Sequence, residues 1–307
     1  MAKNTNDSFI AQPIQVRSVS RKVFVVFNTA ALIIFAASSI LPIIHIIALS
    51  FSSNISIMKG QVGLWPVDFT TFAYSFILER GDFIKAFLVS VRRVLLGVPL
   101  NMLCIVFVAY PLSRSEHHFP ARKYYVWFLI VTMLFSGGLV PTYMIVRQTQ
   151  IYDTIWAMIL PGILPIYSVL LLLNFFRNLP EEIYESALMD GAGHTTILFR
   201  IYIPLSMAAI ATLILFAFVG HWNSWFDGLI YINKPELTPL QTYLRHILIN
   251  PTTLSQLTPE ERSKFADFNI RSMMAASIFI TTVPIMVIYP FLQRYFTKGI
   301  VLGSVKG

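Results

Sequence analysis

The chain has 307 residues, of which 56% are hydrophobic and 12% are charged, and its mean hydropathy is +0.67. Soluble domains carry about 25% charged residues, so this composition excludes a soluble globular protein and predicts a membrane protein with several spans. The net charge of +8 falls partly in short loops and tails, where it sets topology rather than indicating a nucleic-acid partner. The single cysteine, Cys104, lies in an apolar run, which excludes a disulfide framework and a thiolate metal site.

The apolar runs predict an all-α membrane protein with about six transmembrane helices. In chain order the expected spans cover residues 23–50, 84–112, 124–146, 155–176, 201–225 and 271–296. The first run is too long for the core of a signal peptide, so we expect it to be retained. A short surface helix is expected over residues 69–78. The transmembrane domain then covers residues 23–296, between cytoplasmic tails at residues 1–22 and 297–307.

Two of the predicted spans contain helix-breaking residues. In the third span, residues 136–138 have the sequence Ser-Gly-Gly and precede Pro141. This pattern either kinks a helix or lets a neighbouring helix approach closely, and we expect close packing. Prolines and a glycine interrupt the fourth span at residues 161–165. Because backbone carbonyls freed within a membrane need partners, we expect that span to lie inside a bundle.

The stretch from residue 180 to residue 204 is a polar island between two long apolar runs. Pro180 suits the first position of a helix, and the two glutamates that follow favour the positive end of the helix dipole. One face of this helix carries apolar residues at helical spacing: Ile183, Tyr184, Ala187 and Leu188. Gly191 and Gly193 end it, and Thr195 is a suitable cap for a second short helix. The island therefore predicts two short helices joined at a glycine elbow.

The distribution of basic residues predicts which side of the membrane the island faces. With the N-terminal tail inside, six crossings place the loop at residues 113–123 in the cytoplasm, and this short loop carries Arg114, Arg122 and Lys123. The same count places the island in the cytoplasm and the loop at residues 227–270 outside. Both termini are then cytoplasmic.

Two groups of residues are candidates for a substrate path. Arg92 and Arg93 lie about two turns inside the second span, where each arginine costs about 2.5–3.5 kcal/mol. They either snorkel outward, pair with an acid, or face a wet cavity that admits an acidic or polyhydroxylated solute. The outer end of the fifth span carries Trp222, Asn223, Trp225 and Asp227. These residue types suit carbohydrate binding, and the two indoles equally suit the aromatic belt at a membrane interface.

Several catalytic motifs are missing from the sequence. It contains no Gly-x-x-x-x-Gly-Lys-Ser/Thr phosphate loop, no Gly-x-Ser-x-Gly elbow and no His-Glu-x-x-His pair. We therefore expect a non-catalytic protein without a cofactor or a catalytic metal. An energy-coupled transporter with this sequence must use an ATPase on another chain. Since there is one island and no internal repeat, a complete pore needs a second subunit.

The island also carries a family resemblance. It contains, in order, Glu185, Ser186, Ala187, three residues, Gly191, nine residues, Ile201, one residue, Ile203 and Pro204. This spacing resembles the EAA loop of bacterial ABC import permeases, in which the pattern is Glu-Ala-Ala, three residues, Gly, nine residues, Ile-x-Leu-Pro. Ser186 replaces the second alanine and Ile203 the leucine. We use the name EAA loop for residues 178–204.

Other stretches extend the resemblance to most of the chain. Residues 303–307, Gly-Ser-Val-Lys-Gly, resemble the end of MalG-type carbohydrate-uptake permeases. Residues 133–143, Met-Leu-Phe-Ser-Gly-Gly-Leu-Val-Pro-Thr-Tyr, resemble the LplC/YtcP-like subgroup, which is associated with complex oligosaccharides and uronides. The likeness covers roughly residues 23–307.

The resemblance implies a type I ABC importer permease fold in a bacterial cell membrane. It implies a heterodimer with a second permease subunit, two copies of a cytoplasmic ATPase, an extracellular solute-binding protein and an oligosaccharide substrate. The residues it assigns to ATPase coupling are Glu185, Ala187, Leu188, Asp190, Gly191, Ile201 and Pro204. The alternative is a secondary carrier of sugars or other polar solutes driven by an ion gradient. Such a carrier is expected to have repeated halves and an intramembrane carboxylate, and apart from the boundary residue Asp227 this sequence has neither.

Overall fold

A computed structural model describes residues 19–79, 81–249 and 270–303 of the chain. The expected N-terminal tail therefore lies largely outside the described residues, as do positions 250–269 of the expected external loop and the last four residues. Within the described part, helices extend into both predicted tail regions. The first helix already begins at Val19, and the last continues to Gly303, across most of the predicted C-terminal tail.

The described residues form fourteen α-helices, with short turns of other helix types between them. They are α1 (Val19–Ser50), α2 (Asn54–Met58), α3 (Phe72–Glu79), α4 (Gly81–Ser113), α5 (Arg122–Leu134), α6 (Leu139–Gln148), α7 (Ile166–Arg177), α8 (Glu181–Met189), α9 (His194–Ile197), α10 (Ile203–Leu205), α11 (Met207–Asn223), α12 (Phe226–Tyr231), α13 (Leu240–Ile249) and α14 (Ile270–Gly303). Turns of 3₁₀-helix lie at Ile155–Met158, Leu160–Gly162 and Pro235–Leu237, and a π-helical segment lies at Leu198–Tyr202. The expected surface helix corresponds to α3.

The helices provide up to six spans, in agreement with the prediction of about six, and up to three of these spans are bent pairs. Helices α1, α4 and a 21-residue part of α14 are each long and apolar enough to cross a membrane alone. Three further spans consist of bent pairs. Helices α5 and α6 meet at 111°, the segment Ile155–Gly162 meets α7 at 49°, and His194–Leu205 meets α11 at 83°.

The bend between α5 and α6 corrects the expectation of close packing at residues 136–138. Gly138 has a φ of +85°, a left-handed conformation that favours glycine. A Cβ atom at this position would meet nothing within 4 Å, and one at Gly137 would meet only the Cβ of Pro141, at 3.8 Å. The glycines therefore turn the chain and do not admit a neighbouring helix.

The break in the fourth span is stabilised as expected for a helix inside a bundle. The side-chain amide of Asn101 on α4 donates to the carbonyl oxygens of Gly162 and Ile163, at 3.1 and 2.8 Å. These carbonyls lie where the prolines interrupt the helix, so a buried amide replaces the missing backbone donors. Asn101 is itself buried.

Helix α4 is the centre of the bundle and packs against both α7 and α11, while α1 packs against α14. One apolar core lies toward the end that carries the EAA loop and includes Phe176, Ile197 and Tyr202. A second core lies toward the other end and includes Phe83, Trp222 and Met273. By contrast, the residues of α1 from 23 to 35 are almost all exposed. This outer apolar surface suits contact with lipid or with another subunit.

Candidate functional site

The EAA loop begins with α8, whose end is fixed by a glycine. Gly191 has a φ of +77°. Its N–H donates to the carbonyl of Leu188, and the N–H of Ala192 donates to the carbonyl of Ala187, both at 2.9 Å. This pair of bonds is the Schellman motif, in which a left-handed residue after a helix satisfies the last carbonyl groups. The predicted glycine elbow is therefore present at Gly191.

Helix α8 divides its apolar stripe between the bundle and the surface. Tyr184 and Ala187 are buried and belong to the same core as α4 and α7. Leu188 is exposed, as are Glu185 and Asp190, and Met189 is 89% exposed. The stripe predicted from the sequence is thus anchored on its own chain by one edge. The opposite edge of α8, together with Gly191, is left uncovered.

The second half of the EAA loop corrects one sequence prediction. Gly193, and not Thr195, is the residue that precedes α9, and Thr195 lies inside that helix. Pro180 likewise precedes α8 rather than occupying its first position. The end of α9 places Ile197 in the core, and the π-helical segment that follows places Leu198 and Tyr202 there. Of the remaining predicted coupling residues, Ile201 is half-buried and Pro204 is exposed.

A buried ion pair lies in the other half of the bundle. Arg93 on α4 is 3% exposed, and both of its terminal nitrogens donate to the carboxylate of Asp227 on α12. The guanidinium also donates to the carbonyls of Met158, at 2.9 Å, and Ser224, at 3.4 Å. The Asp227 carboxylate accepts further bonds from the hydroxyl of Ser224 and the N–H of Gly228. The charge of Arg93 is thereby compensated by the carboxylate of Asp227.

A histidine extends this polar cluster along α4. The Nε2 atom of His221 on α11 is hydrogen-bonded to Oδ1 of Asn101. The ring lies directly over Gly97, where a Cβ atom would come within 2.5 to 2.8 Å of three ring atoms. Gly97 therefore provides the space for His221 and holds α11 close to α4. Asn101 connects this contact to the broken fourth span.

The cluster lines a cavity of about 580 Å³ between α4, α7 and α11. Its polar lining includes Arg93, Asn101, Tyr167, His221 and Asp227, and much of the rest is apolar. Two predicted path residues, Arg93 and Asp227, are thus brought together at the cavity. For Arg93 the structure combines two of the alternatives left open by the sequence, since it pairs with an acid and also lines a cavity.

The other predicted path residues lie elsewhere. Trp222 is 2% exposed, packs on Phe87 and Phe218, and donates from its indole nitrogen to the carbonyl of Thr281 at 2.9 Å. The guanidinium of Arg245 lies 3.6 Å from the ring centre of Trp225. Arg92 and Asn223 are exposed. None of these four side chains lines the cavity.

Sequence reasoning did not single out Gly97, Asn101 or His221 as members of a site. Asn101 and His221 are polar residues within long apolar runs, and such residues are costly in a membrane, whereas Gly97 carries no such cost. That cost was the available signal. The sequence could not show that Asn101 and His221, 120 positions apart, would meet each other.

Known proteins are similar to this chain over most of its length. The family model described as "binding-protein-dependent transport system inner membrane component" matches residues 70–302. The polygalacturonan/rhamnogalacturonan transport system permease protein YtcP of Bacillus subtilis (strain 168) is 36% identical over 276 residues, which cover 90% of this chain and 96% of that protein. Protein LplC of the same organism is 36% identical over 293 residues, covering 93% and 96%.

A solved structure supports the same assignment at the level of the fold. A subunit in the crystal structure of a bacterial ABC transporter involved in the import of the acidic polysaccharide alginate has a TM-score of 0.82 and 28% identity, covering 91% of this chain and 98% of that one. The predicted permease fold and the resemblance to the LplC/YtcP-like subgroup are thereby confirmed. The chain belongs to the family of binding-protein-dependent transport system inner membrane components.

Proposed function

We propose that this chain is the membrane-spanning permease subunit of an ATP-driven importer of oligosaccharides, in which it forms half of the translocation path. The observation that carries the proposal is the permease fold together with an EAA loop whose helix α8 is anchored on one side and uncovered on the other. The chain pairs with a second permease subunit, takes substrate from an extracellular solute-binding protein and depends on a cytoplasmic ATPase dimer. The family membership favours this class over a carrier driven by an ion gradient.

The geometry of α8 suits the transmission of force. Tyr184 and Ala187 fix the helix in the core of its own chain, while Glu185, Leu188 and Met189 remain on the outside. A protein that grips the outer edge would therefore move the bundle with it, as a rigid body. We assign this outer edge to the ATPase. The assignment requires the EAA loop and both termini to face the cytoplasm.

Photo-crosslinking from the positions of two methionines, Met189 and Met144, tests the docking site. A photo-crosslinking residue at Met189, on the outer edge of α8, should capture the ATPase when the subunits are produced together. The same residue at Met144, which is 53% exposed on α6, serves as the control. Capture from position 144 and not from position 189 would contradict the proposal. The purified chain alone should show no ATP hydrolysis, because it has no phosphate loop.

The sidedness of the EAA loop has its own test. Replacing Cys104 by serine gives a cysteine-free chain, into which Met189→Cys introduces one exposed thiol. A membrane-impermeant maleimide should label this thiol only after the cells are opened. Labelling of intact cells would place the EAA loop outside and remove the coupling role.

The cavity and the nearby cations suit acidic oligosaccharides. One relative is named for polygalacturonan and rhamnogalacturonan, and the solved transporter imports alginate, so both act on uronic-acid polymers. In this chain, Arg93 and Asp227 shape the cavity wall, and exposed Arg92 and Asn223 are proposed contacts along the path. We propose a supporting role for the two tryptophans of this region. Trp225 stacks against Arg245, and Trp222 lies in the core.

Uptake measurements test the substrate class. Arg92→Gln should reduce the uptake of an acidic oligosaccharide, such as a galacturonide, more than that of a neutral one. Lys85→Gln removes an exposed cation from the same helix and is the matched control. Equal losses on both substrates would support a structural role for Arg92 instead.

A further inference from the structure

A second cavity lies at the end of the bundle that carries the EAA loop. It measures about 390 Å³ and lies between the end of α4, the start of α5, the end of α7 and the start of α8. Its lining includes Arg114 and Arg122, which in the sequence served only as indicators of topology, and Arg177. We call this cavity the arginine pocket.

The arginine pocket holds positive charge that the chain does not neutralise. In the part of the chain that the structure describes, none of its three guanidinium groups forms an ion pair. Glu116 and Glu181 also line the cavity, and both are exposed. Three cations therefore face two carboxylates that leave them unpaired.

Arg114 is the most unusual of the three. It is only 8% exposed, and its guanidinium carbon lies 4.9, 4.5 and 4.3 Å from the ring centres of Tyr110, Tyr184 and Tyr202. Aromatic faces stabilise a buried cation, but its Nε atom is buried without a hydrogen-bond partner. Its Nη2 atom donates to the hydroxyl of Ser113 at 3.0 Å, and no carboxylate among the described residues pairs with it.

Arg122, at the start of α5, is the second arginine of the pocket. Its Nη1 atom donates to the carbonyl of Arg114 at 3.2 Å, while its Nε atom is also buried without a partner. The guanidinium groups of Arg114 and Arg122 thus line one cavity on neighbouring elements, and neither forms an ion pair within the described residues. An oxyanion can accept hydrogen bonds from several guanidinium donors at once, which few other natural acceptors can do.

We propose that the arginine pocket binds a phosphate-type oxyanion, supplied either by a free phosphorylated metabolite or by the headgroup of an anionic phospholipid. The planar fork of arginine matches the geometry of phosphate oxygens. The volume has room for about a dozen water molecules at about 30 Å³ each, which is enough for a phosphate with a sugar-sized substituent. The pocket lies where several helices end, so both sources have access to it.

The bound anion would connect the EAA loop to the bundle. Arg114 packs against Tyr184 of α8, Arg122 begins α5, and Arg177 ends α7. An oxyanion shared by these arginines joins three elements through one ligand. Binding therefore stabilises the anchored position of α8. This inference does not depend on which protein grips the outer edge of that helix.

The test uses the purified full chain in an uncharged detergent, stripped of lipid. One arm titrates inorganic phosphate against chloride at matched ionic strength and records the thermal midpoint. The other arm adds phosphatidylglycerol or phosphatidylcholine and counts retained lipids by native mass spectrometry. The variants are Arg122→Gln and Arg177→Gln, with Arg147→Gln as the control, because that guanidinium lies on tyrosine rings in a different part of the chain.

Each pocket variant should weaken the apparent affinity about tenfold or more, as expected for the loss of a charged hydrogen bond, and the control should not. Glu116→Gln should strengthen binding, a gain that misfolding cannot produce. Response to inorganic phosphate identifies a soluble ligand, and response to phosphatidylglycerol alone identifies a lipid headgroup. If neither probe binds, or if all variants respond alike, the proposal is overturned. Neither arm measures transport, so this result is separate from the proposed import function.

Discussion

The EAA loop and the Arg93–Asp227 cluster are organised at very different ranges along the chain. The turn at Gly191 is closed by bonds between residues three and five positions apart. The ion pair joins residues 134 positions apart, and the His221–Asn101 bond joins residues 120 positions apart. The loop is thus a local structure that short-range sequence rules can identify. The cluster exists only after α4, α11 and α12 have packed together.

The conformations of the two regions also depend on different physical interactions. The loop depends on backbone conformation, since an ordinary residue at a positive φ is strained. The cluster depends on charge burial, since removing one partner leaves the other without compensation in a medium of low dielectric constant. Substitutions in the cluster should therefore affect the stability of the whole bundle, and substitutions in the loop should mainly affect coupling.

The largest effect is expected for Arg93→Leu. Asp227 would keep its charge without its partner, which should lower stability by about 3–5 kcal/mol. The adjacent change Arg92→Leu is the control, because Arg92 is exposed and its loss should cost within about 0.5 kcal/mol. The thermal midpoint of the purified chain in detergent measures both. Adding Asp227→Leu to the first variant should recover part of the loss, and equal effects at positions 92 and 93 would contradict the buried pair.

A smaller effect is expected for Gly97→Ala. The new Cβ would come 2.5 Å from the Nε2 atom of His221, so the imidazole must move away from Asn101. Overpacking of this kind costs about 1–3 kcal/mol. Gly220→Ala on α11 is the matched control, because a Cβ there meets nothing within 4 Å. Thermal unfolding that shows the same loss in both variants would contradict the contact between α4 and α11.

Within the EAA loop, two glycines form a natural pair for comparison. Gly191→Ala should cost about 1–2 kcal/mol because φ is +77° there. Gly193→Ala should cost less, since φ is −73° and both positions have open space around the Cβ. Uptake by the assembled transporter, normalised to the amount of chain in the membrane, should fall in the first variant and not in the second. The opposite order would show that the turn does not carry the coupling role.

The smallest effect concerns Asp153, outside the membrane spans. Partial burial alone would raise the pKa of its carboxyl, but the backbone N–H groups of Lys234 and Asn233 and the ammonium of Lys234 hold that pKa below its ordinary value. A lowered pKa stabilises the folded loop above about pH 4 and loses this contribution as the pH falls further. The protection factors of the amides at residues 232–238, which correct for the intrinsic pH dependence of hydrogen exchange, should therefore fall at low pH. The variant Asp153→Asn should exchange faster already at pH 7 and respond less to acid.

The accuracy of the sequence predictions follows this division between local and distant contacts. Apolar runs identified six spans, and glycine spacing identified the elbow at Gly191. The bend at Gly138 was misjudged because the same Ser-Gly-Gly sequence suits close packing and a turn, and only the surroundings distinguish them. The cap was misplaced at Thr195 because glycine and threonine are both accepted before a helix, and packing of Ile197 and Leu198 determined the register.

The sequence by itself indicated that the chain spans a membrane about six times, that it contains no phosphate-loop motif and that a polar loop of two short helices separates two spans. These properties depend on composition, periodicity and the conformational preferences of neighbouring residues. Only the tertiary structure decided that Arg93 is paired with Asp227, that Asn101 completes a broken helix and that Tyr184 faces inward. Such contacts join residues far apart in the chain. Which pairs meet depends on how all the helices pack together in one bundle.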